Sequence, residues 1–184
     1  MFQELLTRIS GELKRQRIPY MVIGGQAVLL YGEPRLTKDI DITLDMGTEG
    51  LKKLRGVARK LGLRTLVDNQ ADFVSKTMVL PVLHDKTGIR VDFIFSFSPY
   101  ERQAIERAVD VKFGRSTVKF ATLEDVVIHK IIAGRARDLE DVKCILLKNH
   151  GYDGRYIRKW LREFDKSLKG DFSKTFQRIF RQVK

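Results

Sequence analysis

The residues best suited to chemistry form the run Asp39-Ile40-Asp41-Ile42, in which two aspartates alternate with two isoleucines. This alternation predicts a half-buried strand, because side chains two residues apart point to the same face. Asp39 and Asp41 would then lie side by side, with the isoleucines turned into a core. Two carboxylates so close repel each other unless a cation or a proton lies between them. The run therefore indicates a divalent-metal site.

A glycine pair, Gly24-Gly25, precedes the aspartates and follows an apolar run that ends at Ile23. Glycines between a strand and a helix let backbone amides approach phosphate oxygens, and the start of a helix favours negative charge. A glycine pair or an Asp-x-Asp alone is weak evidence. Together they are more specific, because they occur in the order strand, glycine pair, short helix, turn and acidic strand. This combination predicts a phosphate-binding turn beside a metal site.

This stretch resembles the nucleotidyltransferase superfamily that shares its catalytic core with DNA polymerase beta, and within it the AbiEii-type branch. That branch includes the toxin members of toxin–antitoxin pairs. The sequence departs from the superfamily pattern at Gly25, where a serine hydroxyl often contacts phosphate. The resemblance rests on Gly24-Gly25-Gln26-Ala27, Tyr31-Gly32, Pro34-Arg35, Thr37 and Asp39-Ile40-Asp41-Ile42.

The resemblance implies a third carboxylate from a later strand, and Asp92 in Arg90-Val91-Asp92-Phe93-Ile94 matches it. It implies transfer of a nucleoside monophosphate from a nucleoside triphosphate, with release of pyrophosphate. Two Mg²⁺ ions about 4 Å apart would clamp the attacking and leaving oxygens. Asp39 and Asp41 would hold both ions, and Asp92 would hold the one nearer the attacking hydroxyl. Without the resemblance, Asp92 is better interpreted as an ordinary exposed strand residue.

A lysine, Lys130, lies within the apolar stripe of a predicted helix. Its stem can extend along apolar surface to solvent, or its ammonium can neutralise phosphates. The resemblance implies that a lysine and an aspartate from these helices complete the active site. Lys130 matches the lysine, and we favour Asp138 over Asp141 as the acid, although both could instead form salt bridges. Arg35, in the turn before the aspartates, is expected either to contact triphosphate or to brace the turn.

The net charge of +12, from 35 Lys and Arg against 23 Asp and Glu, indicates a polyanionic partner such as nucleic acid. Residues 142–184 hold twelve of the cations and four of the acids. Spacings of four and three place several of these cations on one helix face, where they would bind an RNA acceptor or simply face solvent. These residues are Arg155, Lys159, Arg162 and Lys166, followed by Lys169.

The acceptor is left open between an RNA end, perhaps of tRNA, and a protein hydroxyl. The positive charge favours RNA and disfavours cationic aminoglycosides, which would need an acidic pocket. Membership of a toxin pair would imply an antitoxin partner. The alternatives are a protein-modifying, AMPylating-type enzyme and a catalytically inactive module that binds RNA or protein.

The hydrophobic spacing predicts an α+β fold, with a nucleotidyltransferase-like mixed β-sheet core and a helical C-terminal region. Thr122 is a plausible helix cap, so we divide the chain into a catalytic core, 1–121, and a basic helical region, 122–184, packed on it. An amphipathic helix is predicted over residues 2–17, ended by Pro19. Residues 69–76 are ambiguous.

Several classes of protein are disfavoured. No apolar run approaches the roughly 20 residues that a membrane helix needs, and the first residues do not resemble a signal peptide, so a cytoplasmic location with no membrane partner is expected. The single cysteine, Cys144, cannot form an internal disulfide and is predicted to be a small buried hydrophobe. His84 and His150 lack partners at zinc-ligand spacing.

Overall fold

A computed structural model describes residues 2–34, 37, 39–96 and 98–183 of the chain. Within these residues, seven strands form one sheet in the order β3-β4-β5-β2-β1-β7-β6. The sheet is mixed, because β2 pairs in parallel with β5 and β1 with β7, whereas the other neighbours are antiparallel. The strands are β1 (Tyr20–Ile23), β2 (Asp39–Asp45), β3 (Leu63–Thr65), β4 (Val79–His84), β5 (Ile89–Ser96), β6 (Val109–Phe113) and β7 (Ser116–Phe120).

Nine helices accompany the sheet in the described residues, and with it they confirm the predicted α+β fold. The first ends at Arg15 and not at residue 17, because Arg17 adopts a left-handed backbone with φ of 53°. The ambiguous stretch 69–76 is largely a helix, capped by the side chain of Asn69. The helices are α1 (Phe2–Arg15), α2 (Gly24–Tyr31), α3 (Leu51–Lys60), α4 (Gln70–Thr77), α5 (Pro99–Arg107), α6 (Leu123–Ala133), α7 (Ala136–Lys148), α8 (Gly154–Leu168) and α9 (Phe172–Gln182).

The hydrophobic core covers one face of the central strands. Ile40 and Ile42 of β2 are completely buried, as is Phe93 of β5. Asp39, which precedes Ile40, is exposed, and Asp41, between the isoleucines, is half-buried. The predicted half-buried strand is therefore confirmed, with the isoleucines in the core and the aspartates on the open face of the sheet. Burial of these large side chains is the main source of stability for the strands that carry the aspartates.

The helices after residue 122 pack against the sheet-bearing part, in part through α2. Helix α6 contacts α2, α7, α8 and α9, and α7 also contacts α2. The hydroxyl of Thr122 accepts a hydrogen bond from the amide of Asp125 at 3.3 Å, so Thr122 is the predicted cap. The division into 1–121 and 122–184 stays a prediction, since both sides contribute to one hydrophobic cluster.

A buried acid ties three helices together. Asp125 of α6 has no exposed surface, and it accepts hydrogen bonds from the hydroxyls of Thr122 at 2.7 Å and Tyr156 of α8 at 2.9 Å. Arg107 of α5 lies 3.6 Å from the same carboxylate and stacks over the Tyr156 ring at 4.0 Å. Because a buried charge is tolerated only when it is paired, this network fixes how α8 docks on the core.

Two smaller expectations can be compared with the structure. Cys144 is half-buried and not fully buried, because it lies on α7 beside the buried stripe formed by Val142, Ile145 and Leu146. No helix within the described ranges is long and apolar enough to cross a membrane.

Candidate active site

The sheet register brings the predicted third carboxylate next to the first two. In the parallel pairing of β2 with β5, Asp41 lies opposite Asp92 and Asp39 lies opposite Arg90. Paired residues on neighbouring strands share a face, so the three carboxylates lie on the open side of the sheet. They face a cleft of about 520 Å³. Its lining residues are Gly24, Gly25, Thr37, Asp39, Asp41, Arg90, Asp92, Lys130, Arg135 and Arg137.

The first glycine of the pair is required by a close contact. A Cβ added to Gly24 would lie 1.9 Å from Oδ2 of Asp41, far inside van der Waals contact. Gly24 also has φ of +65°, a conformation that side-chain-bearing residues rarely adopt. The glycine therefore lets β1 turn into α2 directly against the Asp41 carboxylate.

The amino terminus of α2 opens onto the same cleft. The residue before the helix, Ile23, offers no side chain to cap the first-turn amides. Amides at the start of a helix lack partners within the helix and favour an anion. Gly25 also lines the cleft, so the predicted phosphate-binding turn lies beside the carboxylates.

The pKa of Asp41 is raised to about 6, chiefly by burial and then by the neighbouring charges of Asp92 and Asp39. Lys130 and Arg90 oppose the shift without cancelling it. The carboxylates of Asp39 and Asp92 therefore repel the carboxylate of Asp41. A bound divalent cation would relieve this repulsion.

Arg90 was not assigned a role from the sequence, yet it lines the cleft. Its Nε donates a 2.9 Å hydrogen bond to Oδ1 of Asp92, two residues along the same strand. The pKa of Arg90 is raised, chiefly by this bond. The spacing Arg90-x-Asp92 in β5 could have predicted that Arg90 lies in the site, because it places both side chains on one face of the strand.

The donor set suits magnesium, which prefers oxygen ligands and retains several waters. Asp39, Asp41 and Asp92 supply only carboxylate oxygens, and the raised pKa of Asp41 shows that they repel one another. In the part of the chain that the structure describes, however, no group of three His, Cys, Asp or Glu side chains is arranged to hold a metal ion. One carboxylate oxygen of Asp92 is bonded to the Arg90 guanidinium.

Lys130 is buried, and its ammonium is held by both of the aspartates that the sequence left open. Its Nζ lies 2.6 Å from Oδ1 of Asp138 and 3.0 Å from Oδ2 of Asp141. Arg135 donates to Asp138 as well, from Nε at 2.5 Å. Burial alone would raise the pKa of Asp138, but the hydrogen bonds from Arg135 and Lys130 outweigh it and lower that pKa.

Three further residues reach the cleft although the sequence analysis gave them no role there. Arg135 and Arg137 line it from the start of α7, and their spacing beside Asp138 was the available signal. The hydroxyl of Thr37 also faces the cleft, where it accepts a 2.6 Å hydrogen bond from Nε2 of Gln26. A hydroxyl is thus present although Gly25 lacks one.

Other predicted residues lie elsewhere. The α8 cations Arg155, Lys159, Arg162 and Lys166 are exposed and do not line the cleft. Arg35 lies outside the described residues.

Comparison with known families agrees with this geometry. A model of the nucleotidyl transferase AbiEii toxin family, of type IV toxin–antitoxin systems, matches residues 5–182. The chain belongs to the AbiEii family. The resemblance seen in the glycine pair and the acidic strand thus extends over nearly the whole sequence. No curated protein matches the chain.

Several solved structures share the fold of this AbiEii protein. The antibiotic-resistance factor ANT(2″)-Ia is 14% identical, with a TM-score of 0.59, and the match covers 91% of this chain and 94% of that one. The lincosamide antibiotic adenylyltransferase LnuA is 15% identical, with a TM-score of 0.54 and coverage of 77% and 94%. An antigenic nucleotidyltransferase-like protein from Paracoccidioides brasiliensis is 13% identical, with a TM-score of 0.58 and coverage of 95% and 91%. These similarities support the nucleotidyltransferase fold.

Proposed function

We propose that this AbiEii protein is a magnesium-dependent nucleotidyltransferase that transfers a nucleoside monophosphate from a nucleoside triphosphate to a hydroxyl at an RNA end, tRNA included. The observation that carries the proposal is the register of Asp41 opposite Asp92, in a cleft that also contains Lys130. Carboxylates beside cations and free helix amides suit a substrate that is itself a metal-bound polyphosphate.

Asp39, Asp41 and Asp92 would hold the Mg²⁺ ions. When bound, the metal would polarise the α-phosphate and stabilise charge on the attacking and leaving oxygens. Asp92 would accept the proton of the attacking hydroxyl, whose oxygen forms a bond to the α-phosphorus while the bond to the pyrophosphate oxygen breaks. For this, Asp92 must exchange its bond from Arg90 for the metal and the acceptor, which leaves the guanidinium free to bind phosphate.

The remaining cations would bind the triphosphate. Lys130, Arg135 and Arg137 face the carboxylates across the cleft. Asp138 and Asp141 restrict where the ammonium of Lys130 can lie, so they act as positioning residues. Gly24 and Gly25 would admit the phosphates to the amino terminus of α2. Arg35 stays a predicted triphosphate contact.

The acceptor is proposed from charge. A net charge of +12 favours a polyanion, and RNA ends carry the hydroxyl that the chemistry needs. The predicted acceptor contacts on α8 remain a hypothesis. We further propose that the protein is the toxin of a pair and is neutralised by an antitoxin, as its family membership suggests.

The test is label transfer. The protein would be incubated with each α-³²P-labelled nucleoside triphosphate, Mg²⁺ and total RNA, beside an Asp39→Asn, Asp41→Asn double variant. Asp45→Asn is the matched control, because Asp45 lies at the far end of the same strand and outside the cleft. We expect ribonuclease-sensitive label with wild type and Asp45→Asn, and at least a 100-fold loss in the double variant, since each lost charge contact of this kind costs several kcal/mol.

Three results would argue against the proposal. Equal labelling by wild type and the double variant would place the activity outside this cleft. Label that migrates with protein and resists ribonuclease would indicate a protein-modifying enzyme. No labelling with any nucleotide, acceptor or divalent metal would favour a binding module.

A further inference from the structure

A second cleft, of about 650 Å³, lies at the β3 edge of the sheet. Its walls are the outer side of α3, the start of β3 and the first residue of α4. We call it the α3 groove and define it by the residues Lys52, Arg55, Gly56, Arg59 and Arg64. All of the charged residues that line it are cations.

The cations of the α3 groove have few counter-charges. Helix α3 contains five Lys and Arg and no acid, whereas the longer α8 has five cations and two acids. Lys52, Arg55 and Arg59 are exposed, and none makes an ion pair within the described residues, whereas Arg64 pairs with Asp85 at 2.8 Å. Their spacing of three and four residues puts them on one helix side, about 4.5 and 6 Å apart along the axis. Such a row attracts a chain of anions.

The glycine in α3 leaves open space on the groove wall. Gly56 lies in the helix interior, where glycine is less favourable than alanine. A Cβ added there would meet no atom within 4 Å, so no packing contact inside the described chain requires the missing side chain. Gly56 lies between Arg55 and Arg59 on the groove wall, and its absent side chain lets a ligand approach the helix closely.

The sheet register places Arg64, at one edge of the α3 groove, on the sheet face that carries the carboxylates. Arg64 pairs with Leu83, Leu83 with Arg90, and Arg90 with Asp39, so these residues form one row across four strands. Three strand spacings of about 4.8 Å put Arg64 roughly 14 Å from Asp39. On the other side, α2, α6 and α7 pack together beside the cleft. A large acceptor therefore has more room on the β4–β3 side.

We propose that the α3 groove binds the phosphate backbone of an RNA whose end is presented to the carboxylates. The proposal rests on the proposed function for the choice of RNA as acceptor. The groove cations without a counter-ion in the described residues include Arg55 and Arg59, and a planar guanidinium binds phosphate with two hydrogen bonds. The contacts are to phosphates, so binding is independent of base sequence and sensitive to salt. In this assignment α3, and not α8, supplies the main RNA contacts.

The experiment measures binding without chemistry. Fluorescence anisotropy would follow a labelled RNA hairpin with a single-stranded 3′ end, in EDTA and without nucleotide, over a range of KCl concentrations. The test variants are Arg55→Gln, Arg59→Gln as a pair and Gly56→Gln alone. The matched control pair is Lys112→Gln, Arg115→Gln, two exposed cations near the β6–β7 turn at the opposite sheet edge. Thermal unfolding of each variant would check that it folds.

Loss of two phosphate contacts should weaken binding about 30-fold at 0.15 M salt and reduce the slope of log affinity against log salt by about 2. The control pair should change affinity less than threefold. Gly56→Gln should bind RNA at least fivefold more weakly although its unfolding temperature is unchanged or higher.

The proposal is overturned if either test variant retains wild-type affinity, or if the control pair loses as much as the Arg55, Arg59 pair. An Arg155→Gln, Arg162→Gln pair on α8 gives a direct comparison, and a larger loss there than in α3 would also overturn it. Because binding is measured in EDTA, a failure of label transfer leaves this result intact. If label transfer occurs but the α3 variants bind RNA as well as wild type, the groove proposal is rejected and the proposed enzyme activity stands.

Discussion

Replacing Asp41 with asparagine should stabilise the metal-free protein at neutral pH while abolishing its proposed activity. The pKa of Asp41 is raised from its ordinary value of 3.8 to about 6, so the folded protein holds a proton there more tightly than the unfolded chain does. Stability is therefore lost as the pH rises from about 4 through 6, and the penalty is complete above pH 6. Asparagine has nearly the same shape and no charge, so it removes the penalty.

A pKa raised from 3.8 to about 6 corresponds to a loss of about 3 kcal/mol of unfolding free energy when Asp41 ionises. This value is an upper limit, because the cleft is open to water and Asp41 is half-buried. We therefore expect the free energy of unfolding of Asp41→Asn at pH 7.5 to exceed that of wild type by about 1 to 3 kcal/mol. Near pH 4 the carboxylate of the wild type is itself protonated. The two proteins should then differ little.

The assay is urea unfolding in EDTA at pH 4, 5, 6 and 7.5, with a parallel series in Mg²⁺ at the highest pH. Asp68→Asn is the control for the chemical change, since Asp68 is exposed and outside the cleft. Mg²⁺ should stabilise the wild type by mass action and leave Asp41→Asn unaffected. A variant that is less stable than wild type at pH 7.5, or a difference that does not vary with pH, would refute the reasoning.

Three other predictions concern the contacts around the cleft and the α8 anchor. Gly24→Ala should lose nucleotidyl transfer and about 1 to 3 kcal/mol of unfolding free energy, because its Cβ would clash with Asp41; activity and urea midpoints test this. Lys130→Met should cost about 3 to 5 kcal/mol at pH 7.5, since it leaves two buried acids without their shared cation; a midpoint equal to wild type would contradict it. Tyr156→Phe removes a donor to the buried Asp125 and should cost about 1.5 to 3 kcal/mol, measured in urea at pH 7.

Much of the fold followed from short-range patterns. The alternation in Asp39 to Ile42 predicted which side chains are buried, and the structure agrees. The cap at Thr122 was also readable, because it depends on a hydroxyl and an amide three residues apart. Residues 69–76 were ambiguous because a short segment with few buried side chains has no strong period. The end of α1 depended on a left-handed Arg17, which nothing in the sequence marks.

The sequence by itself determined the chemical inventory of the site: the glycine pair, two aspartates on one strand face, and a lysine inside an apolar helix stripe. These are local properties, set by side-chain periodicity within one element. Only the tertiary structure decided which groups meet. The pairing of β2 with β5 places Asp92 beside Asp41 and brings in Arg90, and the packing of α6 on α7 gives Lys130 both of its acids. Strand register and helix packing arise from hydrogen bonds and burial between segments far apart in the chain, which no local pattern encodes.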